Sequence, residues 1–133
     1  MPKDMDSAWR ELTLTASRRG AGLWLLIDPE KSGPGEASDM ACAAWQHGCD
    51  AVVLGASTGD PDRFALVAEA VFDRCPCPLL LFPNGAQQVV PHADAILFMS
   101  LLSGRNPRYL VEEQVKGAPR VRECGLEAIP TAY

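Results

Sequence analysis

Five short apolar runs punctuate the chain: Gly22–Ile27 (GLWLLI), Ala51–Leu54 (AVVL), Leu79–Phe82 (LLLF), Ala95–Met99 (AILFM) and Leu126–Ile129 (LEAI). The first four are almost unbroken by polar residues. That pattern predicts strands covered on both faces, as in a parallel sheet. Helical periodicity fills most of the gaps. Ala37, Met40, Ala41, Ala44 and Trp45 recur at i, i+3, i+4, i+7 and i+8, with Gly48 where a C-terminal cap belongs. Phe64, Val67, Ala68, Val71 and Phe72 repeat that spacing behind Asp60-Pro61, an N-cap followed by proline at the first helical position. Asn106-Pro107 opens a further helix by the same device. It is predicted to turn Leu110, Val111, Val115 and Ala118 inward and to stop near Gly117 and Pro119. Ahead of the first strand, Trp9, Leu12 and Ala16 predict an extra helix ending at Gly20.

The strand spacing has one irregularity. Strand starts near 23, 51, 79, 95 and 126 leave about 30 residues in three intervals but only 16 between the third and fourth. A crossover unit takes roughly 30 residues. Asn84–Ala93 (NGAQQVVPHA) is too short for a crossover helix and carries Pro91, so a smaller piece must cover the sheet there and leave an apolar groove. No linker, charge run or low-complexity segment interrupts the pattern, so residues 1–133 are expected to form a single domain.

Composition sharpens this picture. Hydrophobic residues make up 47% of 133, enough for one core, and charged residues 22%, which excludes general disorder. An eight-fold barrel takes about 250 residues, so the chain can hold about half of one. The net charge of −5 and the absence of a basic block argue against a nucleic-acid partner. No apolar stretch approaches the roughly 20 residues of a membrane span, and the charged N-terminal segment does not read as a signal peptide. Five cysteines with no Cys-x-x-Cys pair are expected to be small core residues, reduced, in a cytoplasmic protein. The three tryptophans, at core phases of helix and strand, are likewise expected to pack inside.

Candidate chemistry gathers where the strands end. Asp28 follows the first run, Ser57 and Thr58 the second, Asn84 and Gly85 the third, Ser100 and Ser103 the fourth, Thr131 and Tyr133 the fifth. The carboxyl edge of a parallel sheet is where α/β proteins place their sites. Asp28 suits Mg²⁺ through oxygen, or equally a loop acid bonded to backbone. Gly55–Gly59 (GASTG) precedes a helix N-terminus, a natural anion site. Lys31 and Arg105 can offset a ligand's negative charge or simply be solvated. His47 and His92 form no pair at ligand spacing.

Taken in order, Leu26–Lys31 (LIDPEK), Asp50–Gly59 (DAVVLGASTG), Pro78–Asn84 (PLLLFPN), Ala93–Pro107 (ADAILFMSLLSGRNP) and Leu126–Tyr133 (LEAIPTAY) resemble the geranylgeranylglyceryl phosphate synthase family, including its bacterial heptaprenyl PcrB-type members. The likeness runs from about residue 20 to 133. It implies an α/β fold: a partial (βα) TIM barrel of about five parallel strands with a reduced third helix, preceded by an N-terminal helix. It also implies a Mg²⁺-dependent prenyltransferase joining the 3-hydroxyl of sn-glycerol 1-phosphate to a polyprenyl diphosphate. By that resemblance Asp28 and Ser57 are metal-site residues. Ser57, Thr58, Lys31 and Tyr133 are substrate-binding, and Tyr133 is the catalytic-site tyrosine that contacts the glycerol phosphate. Departures are Ala56 in place of a second glycine, Asn84 before Gly85, and an end at the fifth strand. The expectation is therefore a homo-oligomer with little or no synthase activity alone. The alternative is a non-catalytic, self-associating half-barrel scaffold.

Overall fold

The computed structural model describes residues 7–133, so the first six residues of the expected domain lie outside the described part. Five strands form one sheet: β1 (Trp24–Ile27), β2 (Ala51–Leu54), β3 (Leu79–Leu81), β4 (Ala95–Ser100) and β5 (Glu127–Ala132). All neighbours are parallel, in the spatial order β1-β2-β3-β4-β5. A doubly wound sheet reverses its strand order at a switch point; this one never does. Sequential order with helices on one face is the arrangement of a (βα) barrel over its first five strands.

Alternation along each strand separates two apolar layers. Leu25, Ile27, Val52, Leu54, Leu79, Leu81 and Ile96 face the helices α2 (Pro34–Gln46), α3 (Pro61–Arg74) and α4 (Glu113–Glu123). The other face carries a row in register, Leu26, Val53, Leu80, Ala95 and Glu127. Helix α1 (Ala8–Arg19) covers the lower part of that face with Ala8 and Leu12, both buried against Ala51, Val53, Leu80 and Ile129. Glu127 anchors its start, accepting the Ser7 hydroxyl at 2.6 Å and the Trp9 N–H at 3.2 Å. Asp50 anchors its end, accepting from Arg19 and from the Leu23 N–H. Gly20 closes the helix at φ 86°, a left-handed conformation that favours glycine. Arg63 ties α3 back to the β1 loop through the Pro29 carbonyl, at 2.6 Å.

The segment after β3 is a single 3₁₀ turn, Ala86–Gln88, as the short interval predicts. Two expectations are corrected. First, the last helix does not stop at Gly117 and Pro119; it runs to Glu123 with Pro119 inside. It begins as a π-type turn, Arg108–Glu112, which adds a residue and shifts the phase that follows. The buried face is therefore Gly117 and Val121, while Leu110, Val111, Val115 and Ala118 are exposed. Pro119 leaves the Val115 carbonyl without its helical donor. Second, the tryptophans are not core residues. Trp9, Trp24 and Trp45 are each 36–43% exposed, and Trp9 and Trp24 meet edge to face at 6.5 Å at the foot of β1. The cysteines behave as expected: Cys49, Cys75 and Cys77 are buried, and Cys42 and Cys124 half-buried.

The corrected faces predict unequal responses to truncation. Leu12→Ala, which opens a cavity under the inner row, should cost about 2–4 kcal/mol. Val115→Ala should stay within about 0.5 kcal/mol. Urea unfolding of both variants checks this; equal losses would restore the inward face first expected for the last helix.

Candidate active site

A cleft of about 530 Å³ crosses the carboxyl ends of β1 to β4. Asp28, Lys31 and Ser57 line it at the rim of β1 and β2, and Tyr133 lines it from the end of β5. Phe82, Pro83 and Asn84 carry it past β3. It then passes between β4 and α4, under the 3₁₀ turn, where Val89, Ile96, Phe98, Gly117 and Val121 make apolar walls. A full helix after β3 would occupy that space. Gly117 packs against the turn, where a Cβ would meet the Cβ of Ala86 at 3.7 Å, an ordinary contact distance.

Asp28 sits where β1 ends because Pro29 stops the strand. Its Oδ1 accepts the Glu30 N–H at 2.9 Å, and its carbonyl accepts from Lys31 and Ser32, forming a tight turn. The loop-acid role is thus real for one oxygen. The other, Oδ2, lies 3.9 Å from the Lys31 ammonium, which is 83% exposed. A pair that open contributes little stability. Both groups remain free to engage a ligand. Beneath Ser57, Gly55 is required: a Cβ there would stand 2.8 Å from the Phe82 carbonyl oxygen.

The helix N-terminus behind this loop is not an open anion site. Asp60 caps α3 with its own carboxylate, accepting the Asp62 N–H at 3.0 Å. Thr58 is outside the cleft, and its hydroxyl donates to Glu30 Oε2 at 2.8 Å. Arg105 and Ser103 lie on an exposed loop and do not line the cleft, although the Ser103 N–H donates to the Tyr133 carbonyl at 3.2 Å, and Ser100 and Thr131 belong to β4 and β5 themselves. The structure therefore brings Asp28, Lys31, Ser57 and Tyr133 to one cleft and leaves Thr58 at its border.

Three polar residues on or beside the cleft were not singled out by sequence. Gln88 is buried and bonded on both sides of its amide, to the Asn84 N–H and the Ala56 carbonyl. Gln114 donates to the Met99 and Tyr109 carbonyls, while its own buried oxygen has no partner. Glu113 accepts the Ala86 N–H at 2.8 Å and the Arg108 Nε–H at 3.1 Å. The Ala86 hydrogen bond, and then the Arg108 guanidinium, hold its carboxyl below the usual range against the opposing effect of burial. Its only sequence signal was a position one turn into a helix whose phase the π-type turn had moved.

For a cation, the described residues include no group of three or more His, Cys, Asp or Glu side chains in ligating range. The donors on offer are one carboxylate oxygen of Asp28 and the Ser57 hydroxyl. Mg²⁺ commonly binds through one or two carboxylates, with substrate phosphates and water completing its shell. A hard-oxygen set of this size fits an ion that arrives with a diphosphate.

Glu113 gives a pH prediction. Its carboxylate is deprotonated in the folded chain at pH values where the unfolded chain still binds a proton. It therefore stabilises above the ordinary value of 4.5, and that contribution is lost as pH falls through the lowered folded value. Glu113→Gln should melt below the parent at neutral pH, and the two curves should converge in acid. A constant difference down to the acid limit would remove the carboxylate's charge from the explanation.

Comparison with known proteins identifies the family of the fold. The PcrB family profile matches residues 17–133. Geranylgeranylglyceryl phosphate synthase of Methanopyrus kandleri is 47% identical over 108 residues, covering 81% of this chain and 45% of its own length. The Aeropyrum pernix protein of the same name is 41% identical over 127 residues, covering 92% and 48%. Among solved structures, the Thermoplasma acidophilum (S)-3-O-geranylgeranylglyceryl phosphate synthase, in complex with its substrate sn-glycerol-1-phosphate, superposes with a TM-score of 0.87 at 33% identity. That match covers 97% of this chain and 52% of the other. The chain thus spans about half the length of these relatives, and over that half it is a member of the PcrB family.

Proposed function

We propose that this chain carries the metal and prenyl-diphosphate half of a prenyltransferase site. In this reading the 3-hydroxyl of sn-glycerol 1-phosphate joins a polyprenyl diphosphate, and pyrophosphate leaves; the relatives' names support the geranylgeranylglyceryl phosphate product, and one of them is solved with sn-glycerol-1-phosphate as substrate. The observation that carries this reading is the continuity of the cleft. A hard-oxygen rim at Asp28 and Ser57 opens directly into an apolar groove where the 3₁₀ turn replaces a helix.

Each part answers a demand of the chemistry. A long prenyl tail gains about 0.8 kcal/mol per buried CH₂, so a dry groove beside the reacting carbon supplies most of the affinity. The same walls keep bulk water from an allylic carbon that gains positive character as its bond to the diphosphate breaks. Lys31, exposed and loosely paired, offers positive charge to the leaving group. Asp28 and Ser57 would hold Mg²⁺, which when bound stabilises charge building on the diphosphate. Tyr133 lines the cleft at the end of β5, which supports a role for it in contacting the glycerol phosphate. Thr58 supports the loop through Glu30.

Calorimetric titration of Mg²⁺ and geranylgeranyl diphosphate into the chain tests the reading. Asp28→Ala should weaken binding about 10- to 100-fold, the scale of a lost charged interaction, with its circular dichroism unchanged. Thr58→Ala should bind within about twofold of the parent, since its hydroxyl faces Glu30. Undiminished binding by Asp28→Ala would sink the metal assignment and favour the scaffold reading.

A further inference from the structure

We infer that Gln88 is the positioning residue for the diphosphate end of the cleft, its buried carboxamide setting where the Ser57 loop stands relative to the turn after β3. The inference rests on the reading above for what that loop holds. Gln88 is 2% exposed although it lies in a three-residue turn near the rim, where a glutamine is ordinarily solvated. Its Oε1 accepts the Asn84 N–H at 2.8 Å, and its Nε2 donates to the Ala56 carbonyl at 3.2 Å. Asn84 in turn donates its own side-chain amide to the Ser57 carbonyl at 2.5 Å. Two successive carbonyls of the β2 loop, on either side of the Ser57 Cα, are thus gripped by amide groups from the β3 connection. The Ser57 hydroxyl has little freedom beyond its own rotation.

The job demands one side chain that both accepts and donates at this length. Glutamate supplies only the acceptor, and methionine neither. On its far side the same turn is held by Glu113, which accepts the Ala86 N–H. The turn therefore fixes the groove on one side and the head-group loop on the other, and Gln88 is its contact to that loop.

Two near-isosteric variants of the full chain, Gln88→Met and Gln88→Glu, separate positioning from simple stability. The ligands are Mg²⁺ with inorganic pyrophosphate, which reports the head-group end, and geranylgeraniol, which reports the groove. Gln88→Met should bind pyrophosphate on the order of tenfold more weakly while its affinity for the alcohol stays within about twofold. Hydrogen exchange at the Asn84 amide should quicken in Gln88→Met. It should stay slow in Gln88→Glu, which keeps that acceptor but faces the Ala56 carbonyl with a charge and so should also lose pyrophosphate. Unchanged pyrophosphate affinity, or an equal loss for both ligands, overturns the inference. If the parent chain binds no pyrophosphate, the prenyl-diphosphate reading fails, and positioning of that ligand fails with it. The Asn84 amide then still shows whether the clip exists. Should Gln88→Met not fold, Gln88→Glu carries the test through pyrophosphate against the alcohol.

Discussion

The outer face of β3 and β4 has to be covered, and the sequence between those strands is too short to do it with a helix. Much of the upper rim follows from that constraint. Leu79, Leu81 and Ile96 are fully apolar and buried on the helix side of the sheet. A full helix would bring its own satisfied backbone to this face. A single 3₁₀ turn cannot: buried backbone donors and acceptors without partners are costly. The chain meets the demand with side chains instead. Glu113 takes the Ala86 N–H from α4, and Gln88 takes the Asn84 N–H and gives one back to Ala56. Because these partners come from neighbouring elements, the substitute for a helix also ties the β2 loop, the β3 loop and α4 together around the space the helix would have filled.

Strand content was legible because both faces of β2 and β3 are covered, and continuous apolar runs leave little else to read. The N-terminal helix was legible from Leu12 and Gly20, one packing inward and the other taking a positive φ. What sequence misread has local causes. The stripe Leu110, Val111, Val115 follows helical spacing, but spacing fixes a face only if the helix is uniform. The π-type turn at Arg108–Glu112 rotates the remainder, and glycine at 117, read as a stop, lies inside the helix and faces the 3₁₀ turn. The tryptophans occupied apolar phases, yet Trp24 lies at the foot of the edge strand β1, where a large ring is only half covered.

The candidate site was legible to a different degree. Asp28 and Ser57 could be placed because a parallel sheet puts strand ends on one rim. Tyr133 followed from the same rule applied to β5. Thr58 could not be separated from Ser57 by that rule, since adjacent residues in a loop point to different sides. Glu30, two residues beyond Asp28, decides between them by accepting the Thr58 hydroxyl. Gln88 had no readable signal, and Glu113 had only its place one turn into a helix whose phase had moved. Their role is to satisfy backbone groups across the fold, and no spacing along the chain encodes a partner 27 or 32 residues away.

Ala56 shows how these constraints meet at one position. A glycine there would let a phosphate rest directly on the backbone. Instead Ala56 is buried, packs with the outer core cluster, and has its carbonyl occupied by Gln88. At the next residue the Ser57 carbonyl is occupied by Asn84. Carbonyl oxygens repel a diphosphate, so engaging both with amide N–H groups lowers the negative potential along the loop. The helix behind it compensates little, because the Asp60 carboxylate caps it and takes the Asp62 N–H. Attraction for an anion must then come from the open side of the rim, where Lys31 is exposed, and under the proposed function from a cation at the Asp28 oxygen that the loop leaves unused. The local chemistry thus favours a diphosphate that arrives with its own counter-ion over one cradled by backbone alone.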